Sequence, residues 1–145
     1  MSTVSSTIIS PSKSILAGAV AGLGGGLIFG MLMGMMGMLP MVGMLIRVQN
    51  AFVGFLVHML ISAVIGAIYG FVAGRLPATL GTAVIAGGIN GSVWWVLGAL
   101  LLMPLSLGMN QMIFVIGTDQ WMSLIGHLLY GIITGILFLP LSKRL

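Results

Sequence analysis

Long apolar stretches separated by single charged residues are the main pattern along this chain. Its six charged residues are Lys13, Arg47, Arg75, Asp119, Lys143 and Arg144. They leave uncharged intervals of 33, 27, 43 and 23 residues between Lys13 and Lys143. A helix needs about 20 apolar residues to cross a hydrocarbon layer about 30 Å thick, because it rises about 1.5 Å per residue. Each interval holds one such helix, so the pattern predicts four transmembrane helices.

Prolines, glycines and polar residues set the predicted ends of these helices, because they interrupt the apolar pattern. We place the four spans at about 14–38, 51–74, 78–103 and 121–139, with Pro40, Pro104 and Pro140 ending the first, third and fourth. Connectors cover about 41–50, 75–77 and 105–120. The predicted organisation is a polar N-terminus at 1–13, one four-span membrane domain at 14–139 and a basic tail at 140–145.

Composition supports this fold class and narrows the expected partners. Of 145 residues, 59% are apolar and 4% are charged, whereas a soluble domain carries roughly 25% charged residues. The predicted fold is therefore an all-α polytopic membrane protein, a four-helix bundle in contact with the lipid bilayer. The net charge is +4, but the largest basic cluster is Lys143-Arg144, and a nucleic-acid surface needs several cations together. We expect no nucleic-acid partner.

The distribution of charge predicts an orientation. Four spans would place Lys13, Arg75, Lys143 and Arg144 on one side, and Arg47 and Asp119 on the other. Cytoplasmic loops carry an excess of lysine and arginine. Both termini are therefore predicted to be cytoplasmic, in the inner (plasma) membrane of the cell.

A shift of 69 residues aligns small and polar positions in the two halves of the chain. It pairs Gly18 with Gly87, Gly22 with Gly91, His58 with His127, and Gly66 with Gly135. It also aligns Trp95 with Gly26, where the halves differ. We interpret this as a tandem duplication of a two-helix hairpin, with repeats at about 14–75 and 78–139. Two spans return the chain to its starting side, so the expected symmetry axis lies along the membrane normal.

Small residues recur at every fourth position and predict close helix packing. The first span carries Gly18, Gly22, Gly26, Gly30 and Gly34; the second carries Gly54, Ser62, Gly66 and Gly70; the fourth carries Ser123, Gly131 and Gly135. Four residues turn a helix by about 400°, so such a stripe drifts by roughly 40° per step and suits right-handed small-xxx-small crossings. A packed bundle is the favoured interpretation, and a glycine-lined pore is the alternative.

His58 and His127 are the strongest candidates for function, because an ionisable side chain within a membrane span is a functional hypothesis by default. Both lie on the small-residue stripes and are repeat equivalents, so we expect them to face the bundle interior at equal depth. In the first interpretation they only pack, bonding to interior polar groups such as Asn90, Ser92 and Ser123. In the second they bind haem b or a (bacterio)chlorophyll-type chlorin. In the third they line a proton or solute path.

Catalytic chemistry finds little support in this sequence. There is no glutamate, and Asp119 is the only carboxylate side chain, so a carboxylate acid–base pair is excluded. Cysteine is absent as well, which excludes disulfides and thiolate metal sites. We expect neither catalytic residues nor a metal site. The predicted function is a non-enzymatic membrane protein, an accessory or structural subunit or a homo-oligomer, with a small channel or transporter as a further alternative.

Three segments resemble parts of small, uncharacterised prokaryotic membrane proteins with four spans. They are Trp94-Trp95-Val96-Leu97-Gly98, Leu102-Met103-Pro104-Leu105 and Gly126-His127-Leu128-Leu129-Tyr130-Gly131. The resemblance extends over most of the chain from the first span onward. It implies the four-span topology and a prokaryotic membrane, and it implies no activity.

Overall fold

A computed structural model describes residues 9–145 of the chain. It is all-α, 82% helical and without strands in this described part. The helices are α1 (Pro11–Met35), α2 (Leu39–Gly43), α3 (Ala51–Ala73), α4 (Leu80–Trp94), α5 (Met103–Ser106) and α6 (Thr118–Arg144). A π-helix at Trp95–Leu102 joins α4 to α5, so the third long helix runs over Leu80–Ser106. Four helices are therefore long and apolar enough to cross a membrane, which confirms the predicted fold class.

Two helix boundaries next to prolines differ from those predicted from the sequence. The first helix begins at Pro11 instead of near residue 14, and residues 1–8 of the predicted polar N-terminus lie outside the described part. Pro140 lies inside α6, which continues to Arg144. The predicted basic tail at 140–145 is therefore mostly the last turn of this helix. Proline removes one backbone donor, and near the end of a long, well-packed helix that loss does not prevent another turn.

Pro104 likewise lies within α5 rather than after the third span. Since proline has no N–H to offer the carbonyl of Leu100 four residues earlier, that carbonyl needs another donor. The backbone N–H of Phe114 supplies it at 3.0 Å. Phe114 adopts a left-handed backbone conformation with φ 56°. The long connector therefore folds back onto the end of the helix that it leaves.

The helices α1 and α6 form the centre of the bundle, and α3 and α4 lie on its flanks. The first helix packs along both α3 and α6, whereas α4 packs mainly along α6 and touches α3 only sparsely. Two buried apolar clusters fill the bundle. One consists of Ala17, Ala21, Tyr69, Ala73 and Phe138, and the other of Phe29, Met33, Leu39, Val42 and Tyr130.

Glycines bring the backbones of α1 and α3 into direct contact. A Cβ atom added to Gly66 would lie 2.7 Å from the Cα of Gly22, and one added to Gly70 would lie 2.8 Å from the Cα of Gly18. The carbonyl of Leu39 in α2 approaches Gly54 in the same manner. Backbones this close leave no room for a side chain, which explains why glycine occupies these positions in the hairpin.

The second hairpin, α4 with α6, also packs through glycines but in a different register. Gly87 lies against the carbonyl of Gly131, and Gly91 lies against that of His127. In the first hairpin Gly18 lies against the carbonyl of Gly66, so the 69-residue shift would instead place Gly87 against the carbonyl of Gly135. The observed partner, Gly131, comes four residues earlier, which is about one helical turn. The two hairpins do not share one packing register, and the tandem duplication stays a prediction from sequence.

Candidate functional site

His58 on α3 is buried and bonded to α1. Its side chain is 7% exposed, and its Nε2–H donates to the carbonyl of Gly26 at 2.9 Å. The hydroxyl of Ser62, one turn further along α3, lies 3.5 Å from the same nitrogen. A Cβ atom on Gly30 would lie 3.1 Å from His58 Cδ2. The glycines of α1 thus provide both the acceptor and the room for this imidazole.

His127 on α6 is half-buried and bonded within its own helix. Its Nδ1–H donates to the carbonyl of Ser123 at 2.8 Å, and the Ser123 hydroxyl lies 3.3 Å from the same atom. A carbonyl can only accept, so the neutral ring carries its proton on Nδ1 and leaves Nε2 as a lone pair. The two imidazoles therefore use opposite nitrogens for their backbone bonds.

One phenylalanine of α1 contacts both imidazoles. The Phe29 ring centroid lies 5.3 Å from that of His58 and 4.8 Å from that of His127, and both contacts are edge-on. Phe29 is itself 6% exposed. Its ring lies where a side chain on Gly126 would be, since a Cβ atom there would overlap ring carbons. The structure thus brings the two predicted residues together around Phe29, which the sequence analysis did not single out.

Tyr130 connects α6 to α3 deep in the bundle. Its hydroxyl donates to the carbonyl of Ser62 at 2.6 Å, and the side chain is 3% exposed. A Cβ atom on Gly22 would lie 3.1 Å from this hydroxyl. Tyr130 therefore adds an interhelical bond beside the Ser62–His58 pair, which was not predicted from the sequence; its position about one turn after His127 is the signal that could have indicated it.

The other predicted interior polar residues on α4 lie apart from this cluster. Ser92 is half-buried, and its hydroxyl donates to the carbonyl of Gly88 one turn earlier at 2.9 Å. The side-chain nitrogen of Asn90 is buried without a hydrogen-bond partner in the described part of the chain. Asn90 and Ser92 thus make no bond to either histidine.

The predicted packing residues mostly lie at helix contacts. Gly18, Gly22, Gly26, Gly66, Gly70 and Ser62 lie between α1 and α3, Gly30 faces Phe55 and His58, Gly34 faces Leu39, and Gly131 and Gly135 face α4. Several equally tight positions were not among the predicted packing residues, namely Gly25, Gly87, Gly91 and Gly126. Gly87 and Gly91 were visible in the repeat alignment. Gly25 is tightly packed because of Thr134 and Tyr130, and Gly126 because of Phe29. The orientations of these side chains cannot be inferred from the sequence.

Trp95 lies at the predicted outer end of the bundle, although it falls near the middle of its span in sequence. Its ring stacks on that of Trp121 at 6.0 Å, and its Nε1–H donates to the carbonyl of Gln120 at 2.9 Å. Both partners belong to the first turn of α6. This position near a helix end agrees with the preference of tryptophan for the membrane interface.

The geometry around the histidines does not fit a haem held by both of them. Each iron–imidazole bond needs a nitrogen lone pair at about 2 Å from the metal. Nε2 of His58 instead points its hydrogen at Gly26, and the Phe29 ring lies against both imidazoles. A macrocycle between them would have to displace Phe29. In the described residues, no group of three or more histidine, aspartate or glutamate side chains is placed to hold a metal ion.

Comparisons with protein-family models, with curated proteins and with solved structures find no match to this chain. The resemblance to small prokaryotic four-span proteins therefore stays a prediction.

Proposed function

We propose that this chain is a non-enzymatic integral membrane protein that serves as a structural or accessory subunit and assembles with itself or with another membrane protein. The observation that carries the proposal is the shared contact of Phe29 with both interior histidines. This contact supports a packing role for the histidines between helices, which is the first of the three interpretations that the sequence allowed.

The hydrogen bonds of the interior support the same assignment. The imidazole of His58 and the hydroxyl of Tyr130 donate to backbone carbonyls on neighbouring helices, and His127 donates within α6. Hydrogen bonds within membrane bundles contribute about 0.6 kcal/mol each on average. Bonds of this kind fix the orientation of helices, and they leave the donors of these side chains engaged within the fold.

The outer face of α4 supports assembly. Gly81 and Gly88 are seven residues apart, or about two turns, so they lie on one face of the helix. Among the described residues, no atom lies within 4 Å of a Cβ added to Gly81, and only the Ile132 side chain, at 4.0 Å, approaches one added to Gly88. Small residues on a lipid-facing helix let a second helix approach closely. The sparse contact between α3 and α4 leaves this flank of the bundle accessible to a partner.

The proposal is tested by the oligomeric state of the protein in its native membrane. We expect chemical cross-linking in native membranes, followed by mass determination of the purified complex, to give an assembly larger than one chain. Gly88→Leu should weaken a self-assembly because the larger side chain blocks close approach, whereas Ile89→Leu on the same turn should not. A chain that is monomeric in the native membrane and after mild solubilisation would contradict the proposal.

We also propose that both termini face the cytoplasm. Four of the five cations lie at the end of the bundle where α1 begins and α3 and α6 end, namely Lys13, Arg75, Lys143 and Arg144. Arg47 and Asp119 lie at the opposite end, and the positive-inside rule then gives the orientation.

A further inference from the structure

The methionines of this chain are concentrated in one half of the bundle. All 13 except Met1, which lies outside the described residues, lie in the half of the long helices away from the four cations, or in the connectors at that end. Methionine fills irregular gaps in apolar cores, but both halves of a membrane bundle need such packing. The one-sided distribution therefore points to a role for thioethers at that end.

Two of these methionines are brought together by the turn that ends α1. Gly37 has φ 70°, and the N–H of Met38 donates to the carbonyl of Met33 at 2.9 Å. The N–H of Gly37 donates to the carbonyl of Gly34 at 3.2 Å. These bonds form a Schellman motif, in which the side chains corresponding to Met33 and Met38 commonly pack together. Met33 is 7% exposed, and Met38 is half-buried against the apolar cluster that contains Met33.

Met103 brings a third thioether to the same cluster from the other hairpin. It is the first residue of α5, where the third long helix reaches this end of the bundle. Its side chain is half-buried and packs against the cluster of Met33, Leu39 and Val42. Three separate segments thus bring thioethers to one apolar cluster. Methionine side chains are unbranched and have three rotatable bonds, so their sulfur atoms can turn toward one another without movement of the backbone.

The charges at this end of the bundle suit a cation. Arg47 and Asp119 are the charged residues there, and they sum to zero, whereas the opposite end carries four cations. A positive ion therefore meets less repulsion at the methionine-rich end. Thioether sulfur is a soft ligand that selects Cu(I), whereas carboxylates and water suit hard cations such as Mg²⁺. Thioethers differ from the thiolate and carboxylate ligands on which the expectation of no metal site was based.

We propose that Met33, Met38 and Met103 together bind Cu(I) at this end of the bundle. The three sulfur atoms are neutral, so the bound ion keeps its single positive charge. Leu39 and Val42 in the same cluster are buried and limit the access of water. The harder ions Cu(II) and Zn²⁺ gain little from such a site, because they favour nitrogen, oxygen or thiolate ligands. This binding site is independent of the assembly proposed above.

The affinity is measured by anaerobic isothermal titration of the purified full-length protein with Cu(I) supplied as its acetonitrile complex. The chain contains no cysteine, so thiols contribute no background. We expect one Cu(I) at this site per chain. The triple variant Met33→Leu, Met38→Leu and Met103→Leu should bind at least about 100-fold more weakly, the lower end of the gain from linking ligands on one chain. Leucine and methionine have similar volumes, so the core stays filled.

Exposed methionines at the same end provide a matched control. Met31, Met35 and Met41 are 59%, 85% and 44% exposed. Their triple replacement by leucine removes the same number of thioethers and should leave the affinity unchanged. Helical content and elution volume verify folding. Met103→Leu alone changes one half-buried side chain and should also weaken binding, so it decides the question if the triple variant loses its helical content.

X-ray absorption of the bound copper identifies the ligand atoms. We expect sulfur neighbours, and we expect His127→Gln to retain the ion. Three results would overturn the proposal. Absence of Cu(I) binding would remove the site. Equal losses in the two triple variants would reduce it to diffuse attraction by many methionines. Nitrogen neighbours that disappear in His127→Gln would assign the ion to that imidazole instead of the thioethers.

Discussion

Gly66→Ala probes the contact that holds α1 against α3. The added Cβ atom would lie 2.7 Å from the Cα of Gly22 and 3.0 Å from its nitrogen. Both atoms belong to the backbone of a helix, so they cannot rotate away as the end of a side chain could. Carbon atoms pack at about 3.5–4.0 Å. The two helices must therefore separate by about 1 Å at this point.

The expected loss of stability follows from the packing contacts between α1 and α3 that such a separation weakens. A gap of about 0.5–1 Å loses roughly a quarter to a half of the attraction of each atom pair along the interface, and overpacking of a closely fitted site costs about 1–3 kcal/mol. Alanine also favours a helix over glycine by about 1 kcal/mol. Gly88→Ala shares that gain but meets only ordinary contact, with Ile132 at 4.0 Å. We expect Gly66→Ala to be less stable than Gly88→Ala by about 1–3 kcal/mol.

The absence of cysteine makes the measurement direct, because fluorophores can be attached to cysteines introduced in a cysteine-free chain. Labels at Ser12→Cys and Leu76→Cys report on the separation of α1 and α3, since both positions are exposed at the same end of these helices. Energy transfer is followed while sodium dodecyl sulfate unfolds the protein in mixed micelles. Equal unfolding midpoints for the two alanine variants would refute the backbone contact at Gly66.

Three further predictions concern the site and the topology. Tyr130→Phe should lower stability by about 0.6–1.7 kcal/mol, the range for bonds within membrane bundles, in the same unfolding assay, because it removes the bond to the Ser62 carbonyl. Protein from a haem-sufficient host should show no Soret band, and His58→Gln should fold; a Soret band lost in that variant would contradict the packing assignment. A reporter fused after Leu145 should read as cytoplasmic and one near Gln111 as external, and the opposite pattern would reverse the orientation.

The existence and number of the membrane helices could be predicted from the sequence because few charges can be tolerated within a bilayer. Uncharged intervals between Lys13, Arg47, Arg75, Asp119 and Lys143 left room for one helix each, and residues 9–145 form four such helices. Helix ends were less predictable. Proline excludes one hydrogen bond but does not dictate where a packed helix stops, and both Pro104 and Pro140 lie inside helices.

The candidate site could be predicted only in part, because only some of its residues differ clearly from the apolar sequence around them. A histidine is conspicuous in an apolar span, so His58 and His127 were found from the sequence. Phe29 is one of many large apolar side chains, and its importance depends on the angle between α1 and α6. Similarly, Gly126 is one of 23 glycines, and only the position of the Phe29 ring shows why it lacks a side chain.

A single residue, Trp95, explains why the two hairpins pack in different registers. In the first hairpin, Gly26 lies against Ser62, and the 69-residue shift converts this pair into Trp95 and Gly131. An indole at that crossing would prevent the close backbone approach that small residues permit. With the observed register, Gly87 lies against Gly131, and Trp95 moves to the first turn of α6, where its N–H reaches the Gln120 carbonyl. Similar small-residue patterns can thus pack in different registers when one large side chain decides which contacts are sterically allowed.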